Sequence, residues 1–499
     1  MKRSTYNLFF GMLNQIVLLV VGLIVPKLFI ENLGSEMNGL ISTINQLFGY
    51  VNLLEAGIGA ASLQALYMPI SKSDKSGING ILSATNISYR KTAFYYFVLI
   101  IGLMIVYPFI VTTEINKGII VSLIFLMGMT GVINFLFQGK YKVLLQAEGK
   151  SYILLNIDTI ISIGLNLLKV FLIIKGYNIL LIQSTQLLLN LFQLLFIEFY
   201  IRKHYSWLNF SEKPNYQAIS QSKSVFVHQI TTLIYNNTDL LILMMYSSLK
   251  QVSVFAVYNS LTTMVLNIIF QVSNSVTFLL GKFMSVDKRK LLILFNAYEV
   301  FYLGFSFAVM SILSIIMMDF MSIYTANITD ADYLDELLAF LFLIKILIQA
   351  ARTPYRQIIE VAGHFKKTQN RAIFEAALNL VLSLILVNYW GVYGILLGTL
   401  ISLVYRAVDM IIYTNKVILK RSIYQSAFPW MVNSIIFIAT LGISQMYSMD
   451  TNSFVTFLFK SVVISIIIVG IYSIVNGLLN YKKIKVFFKE FNLRLLLGK

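Results

Sequence analysis

Along this chain, long apolar stretches alternate with short polar gaps, and the basic residues crowd into every second gap. Divided into about fourteen spans, the chain places all but seven of its 39 Lys and Arg residues on one side. The seven exceptions are Lys27, Lys117, Lys169, Lys175, Lys250, Lys345 and Lys460. Cytoplasmic loops of polytopic membrane proteins carry such an excess of cations, so the pattern predicts a multi-pass chain with both termini cytoplasmic. One missed helix would invert every later loop. The opposite face carries Glu31, Glu36, Asp330, Asp332, Asp335 and Glu336 with little basic charge.

The spans read as helices, because ~20 apolar residues cross the hydrocarbon layer as a helix whereas barrel strands show ~10-residue alternating segments. With 58% hydrophobic and 12% charged residues and a mean hydropathy of +0.77, a soluble fold is excluded. The formal charge of +17 lies in short loops beside apolar runs, where it is a topology signal and not a nucleic-acid footprint. There is no Cys, and His204, His228 and His364 form no ligand cluster, so neither a metal nor a redox cofactor is expected. Lys2 and Arg3 precede an apolar run that ends in Pro26 and Lys27 without a small-residue cleavage site, which reads as a retained first helix.

Approximate spans are 6–30, 37–67, 92–113, 118–146, 151–174, 178–201, 217–246, 251–280, 294–321, 333–360, 366–388, 392–416, 425–447 and 454–479. The polar stretch near 202–216, with Pro214, separates six spans from the next six. The expected organisation is an all-α protein with a six-helix lobe over 1–205, a second over 206–421, two further helices over 422–480 and a basic tail over 481–499. That tail has an amphipathic pattern and reads as a membrane-surface helix drawn to anionic lipid. No loop is long enough for a soluble domain, so function belongs to the helical bundle.

Polar residues inside a bilayer face other helices or a wet cavity. Lys345, Gln349, Arg352 and Arg356 of the tenth span lie within an arc of about 60°, and Pro354 predicts a kink beside them. Arg352 and Arg356 could also snorkel from a helix end, whereas Lys345 lies too deep for that. In the seventh span Gln229, Thr232, Asn236 and Asp239 share about 80° of arc. Asp239 is open to three readings: a coupling site, a partner of a cation, or a structural acceptor. The second span aligns Asn38, Asn45, Asn52, Glu55 and Gly59, with Gly57, Gly59, Ala60 and Ala61 as packing positions. Further stripes are Asp158, Ser162 and Lys169; Gln183, Gln186, Asn190 and Gln193; Asn259, Thr263, Asn267 and Asn274; and Thr399, Ser402, Arg406 and Asp409. Each is explained equally by interhelical hydrogen bonding; together they suggest a hydrated interior suited to a polyhydroxylated solute. Nucleotide-binding and hydrolase motifs are absent, which argues against a self-contained ATP-driven pump and against an enzyme.

The stretch RTPYRQIIEVAGHFKKTQNRAIFEAALNLVLSLILVNYWGVYGILLGTLIS from Arg352, the opening IVPKLFIENLGSEMNGLISTINQLFGYVNLLEAGIGAAS, and NNTD followed by VSVFAVY resemble the Wzx-type polysaccharide flippases. That family belongs to a superfamily shared with multidrug exporters and peptidoglycan lipid flippases. The resemblance implies two six-helix lobes around a central cavity that opens to alternate sides, with two extra C-terminal helices. It implies a bacterial plasma membrane location and a cargo of oligosaccharide linked through pyrophosphate to a polyprenol, with a polysaccharide polymerase as partner beside the membrane lipids. For such a cargo the candidate pyrophosphate contacts are Lys345, Arg352 and Arg356, then Lys169 and Arg406, since arginine suits bidentate phosphate binding. Asn52, Gln186, Asn190, Asn236, Asn259, Asn267 and Gln349 are candidate cavity residues for sugar hydroxyls. Glu55, Asp239 and Glu375 are the acids to consider for coupling to a proton or sodium gradient. The alternatives are a cation-coupled multidrug exporter, a peptidoglycan-precursor flippase and a membrane glycan polymerase. The extra helix pair and the basic stripe argue against the first, only the cargo separates the second, and the last would require a large outward loop.

Overall fold

The computed structural model describes residues 21–55, 57–219, 238–446 and 454–490. The described residues form helices and no strands, and ten of these helices are long and apolar enough to cross a membrane. The chain is an all-α multi-pass membrane protein. Most of the first and seventh expected spans, and with them Asn236, lie outside the described residues. Contacts group the chain into two compact units, Met1–Ala256 with Ile328–Ala331, and Val257–Asn327 with Asp332–Lys499.

The first unit contains α1 (21–33), α2 (Ser35–Val51), α3 (Ile58–Ser71), α4 (Lys75–Ile110), α5 (Lys117–Ile133), α6 (Gly139–Ala147), α7 (Ser151–Ile174), α8 (Ile179–His204) and α9 (238–246). Three of its helices start at short polar side chains that accept from otherwise unpaired backbone N–H groups. Asp74, Asn116 and Asn178 cap α4, α5 and α8 in this way. The second expected span is not one helix. A 3₁₀ turn over Asn52–Glu55 separates α2 from α3, and Gly57 adopts φ 94°, a left-handed conformation that glycine adopts at little cost. The stripe from Asn38 to Gly59 is therefore broken, leaving Asn52 exposed. Helix approach is close where glycine removes the side chain: a Cβ on Gly131 of α5 would lie 2.5 Å from Tyr96 of α4, and one on Gly128 would lie 2.7 Å from Ile100.

The second unit contains residues 257–286 of α10 (Leu249–Val286), then α11 (Lys288–Tyr324), α12 (Glu336–Ala351), α13 (Thr353–Val361), α14 (Phe365–Tyr413), α15 (Tyr424–Met446), α16 (Phe454–Leu479) and α17 (Tyr481–Glu490). Its core joins Phe295, Tyr302 and Phe307 of α11 to Leu343 and Ile346 of α12 and Tyr355 of α13. Where a kink is expected the helix is interrupted: α12 ends at Ala351 and Pro354 sits in the first turn of α13, where a missing N–H costs nothing. Tyr258 donates to the carbonyl of Tyr333 at 2.8 Å, and Asp335 caps α12 while accepting from Tyr393 at 2.7 Å.

Helix α14 breaks at Gly391 (φ 53°, ψ −130°), between the eleventh and twelfth expected spans. Its two arms fold back on each other in antiparallel register. Asn379 donates to Thr399 at 2.8 Å and Ser383 donates to the carbonyl of Ile395 at 3.2 Å. Gly394 and Gly398, four residues apart, allow this approach, because a Cβ on Gly394 would lie 2.1 Å from the Leu386 carbonyl oxygen and one on Gly398 would lie 2.6 Å from the Ser383 nitrogen. Gly394→Ala is therefore expected to lower stability by about 1–3 kcal/mol through overpacking against backbone. Gly164→Ala, where a Cβ meets nothing within 4 Å inside α7, should be neutral or slightly stabilising. Thermal unfolding of the purified protein in detergent compares the two; equal melting temperatures would refute the close hairpin.

Candidate functional site

The charged residues of α12–α14 meet through the hairpin register. Stepping back by fours along the first arm from Ser383 and Asn379 reaches Glu375 and then Arg371, and the second arm sets Arg406 and Asp409 against them. Glu375 accepts from Nη1 of Arg352 at 2.5 Å, and its other carboxylate oxygen lies 3.4 Å from Nε of Arg406. Arg406 donates through Nη1 to Asp409 at 2.5 Å, and Asp409 also accepts from Arg371. The result is a chain of alternating charge, Arg352, Glu375, Arg406, Asp409, Arg371, with one guanidinium in excess. The Arg406 side chain is 4% exposed and that of Glu375 9%, whereas Arg371 at the end of the chain is 40% exposed. In a low-dielectric interior such charges persist because each has an opposite neighbour.

The other cations proposed from the sequence occupy different settings. Arg356 is half-exposed, 3.7 Å from Glu360 and with its guanidinium 5.6 Å from the centre of the Phe270 ring. Lys345 is buried, its ammonium 5.4 Å from the Phe342 ring centre. Gln349 is half-buried, and its carbonyl accepts from Thr353. Asn259 is half-buried and Asn267 exposed on α10. Glu375, singled out as a coupling acid, has the surroundings of a counterion to two arginines.

In the first unit the polar stripes of the fifth and sixth spans face each other. Lys169 donates to Gln186 at 3.1 Å, Gln193 donates to Asp158, and Gln138 donates to Asn190 at 3.1 Å. For these residues the interhelical reading left open by the sequence describes the contacts. Glu55 accepts from Tyr89 at 2.8 Å and lies within electrostatic range of Lys142, which also acts on Asp158. Asp239 is buried beside Thr238, whose hydroxyl is 2.7 Å from that of Tyr50.

In the sequence Lys142, at the end of the fourth span, counts only among the cations of the cytoplasmic side, and one further site was not anticipated. Glu299, fully buried on α11, accepts from Nη2 of Arg421 at 2.7 and 2.8 Å and from Ser426 at 2.5 Å. Arg421 also donates to Asn296 and Asn415 and stacks 4.7 Å from the Phe295 ring centre. An acid within an apolar span was the available signal.

No family model and no curated protein matches the chain. Among solved structures, it is similar to the lipid II flippase MurJ in an inward closed conformation, with a TM-score of 0.74 and 14% identity over 95% of this chain and 99% of that one. It is also similar to a multidrug resistance MATE family transporter of the MOP superfamily. The inward-facing form gives a TM-score of 0.62 and 14% identity, covering 85% of this chain and 98% of that one. The outward-facing form gives 0.57 and 13%, covering 85% and 94%. The fold is that of the MOP-superfamily transporters. These neighbours are transporters and flippases, not enzymes.

Because Glu375 neutralises two buried guanidinium groups, Glu375→Gln should cost about 3–5 kcal/mol of stability, the loss typical of breaking a buried ion pair from one side. Asp409→Asn should cost less, since its second partner, Arg371, is well hydrated. Unfolding temperatures with matched expression levels check the ranking; an unperturbed Glu375→Gln protein would show that the carboxylate is not a counterion.

Proposed function

We propose that this protein is a flippase for a polyprenyl-pyrophosphate-linked oligosaccharide, moving the repeat unit from the inner to the outer leaflet of a bacterial plasma membrane by alternating access, for surface polysaccharide synthesis. The observation that carries this reading is the excess of one guanidinium over carboxylate in the ion-pair chain on α12–α14, the surplus lying at its exposed end, Arg371. A site with net positive charge suits an anionic cargo and disfavours the cationic drugs that an exporter with an acid-lined interior would take. The half-exposed Arg356, next to that chain in sequence and set against an aromatic ring, is the group best placed to touch a phosphate. The surplus charge of the chain, at Arg371, would add to it by raising the local potential. The charge asymmetry of the loops supports a cytoplasmic location for both termini. A polysaccharide polymerase would consume the product on the outer face. The second reading, a peptidoglycan-precursor flippase, is favoured by the likeness to MurJ and differs in cargo alone.

Mass spectrometry of polyprenyl-linked glycans from cells depleted of the protein, with an impermeant probe for leaflet, tests the proposal. A complete oligosaccharide-pyrophosphate lipid held on the inner leaflet is the expected outcome. Accumulation of the peptidoglycan precursor instead would establish the second reading, and no accumulation with greater sensitivity to cationic drugs would overturn both. In the same assay Arg356→Gln should reduce export roughly tenfold, the loss of one charge-assisted contact. Its melting temperature should stay unchanged, because exposed ion pairs contribute ~0–1 kcal/mol.

A further inference from the structure

At one end of the second unit, α10, α11, α16 and α17 line a half-open cavity of about 490 Å³, within the ~300–1,000 Å³ usual for ligand sites. Its walls are aliphatic and aromatic, among them Leu279 of α10, Leu294 and Phe301 of α11, Val469 of α16 and Phe487 of α17. Helix α17 is amphipathic. Lys483, Ile484 and Phe487 form its half-buried side, and the helix packs on α11 and α16. Lys482, Lys485 and Lys489 are exposed and share an arc of about 60° on the other side. Burial pushes the Lys483 ammonium below the ordinary lysine range. A second exposed basic group, Lys288, Arg289 and Lys290, occupies the first turn of α11, about one turn before Leu294 of the cavity wall. Asp287 caps this turn, accepting from the backbone N–H groups of Arg289 and Lys290, and its single carboxylate leaves the three basic side chains in excess.

We propose that this cavity binds an anionic glycerophospholipid, one acyl chain lying between α10, α11 and α16 and the phosphate resting among the lysines of α17 and the first turn of α11. The apolar walls supply chain burial and the two basic groups supply charge complementarity. This assignment stands independently of the cargo proposed above.

The test is native mass spectrometry of the purified full-length protein incubated with dioleoylphosphatidylglycerol or dioleoylphosphatidylcholine, which share acyl chains and differ in charge. The wild type should retain the anionic lipid roughly tenfold better. The variant with Lys482→Gln, Lys485→Gln and Lys489→Gln should lose that preference. Gly477 lines the cavity, and a Cβ there meets nothing within 4 Å, so Gly477→Phe fills the space and should abolish retention while the unfolding temperature is kept. Equal retention of both lipids by the wild type, or full retention by Gly477→Phe, overturns the proposal. Displacement of the bound lipid by undecaprenyl phosphate would also overturn it, by showing that the cavity takes a cargo chain.

Discussion

A charge in the hydrocarbon layer is costly unless a polar or opposite partner offsets it, and the architecture of the second unit follows from that requirement. Arg352, Glu375, Arg406, Asp409 and Arg371 come from a helix junction and both arms of a hairpin, yet each lies against a partner of opposite sign. Such an arrangement demands helices that approach closely and in one register. Gly394 and Gly398 permit the approach, and Asn379 and Ser383 fix the register with hydrogen bonds across the same seam. Packing and electrostatics thus specify one alignment of the two arms.

Much of the fold was legible because the bilayer imposes a length and a polarity on every crossing. The helix Ser151–Ile174 coincides with its expected span, and the breaks at Pro354 and Gly391 fall where the sequence places a proline or a gap between spans. The interruption after Val51 was not visible, since the 3₁₀ turn is formed by NLLE, whose leucines continue the apolar pattern. Only the positive φ of Gly57 distinguishes it, and a glycine amid alanines reads equally as a packing position.

The candidate site was legible by face and not by neighbour. Helical periodicity places Lys345, Arg352 and Arg356 on one stripe and Arg406 beside Asp409, but it cannot say that Arg352 and Arg406 meet at Glu375. Loop charges hid the rest. Arg421 and Lys142 were counted for topology, whereas the structure turns Arg421 inward onto Glu299 and sets Lys142 within electrostatic range of Glu55 and Asp158. Composition cannot separate a cation that marks a membrane side from one that neutralises a buried acid.

The spacing of charge along the hairpin also restricts how it can move. Sliding one arm past the other by a single turn, ~5.4 Å, would set Arg371 against Arg406 in one direction and Glu375 against Asp409 in the other. Either step converts attraction into repulsion within a poorly screened interior. The two arms are therefore geared together and must travel as one rigid piece, so any motion of this region is confined to its ends: the junction at Arg352 and the left-handed turn at Lys420.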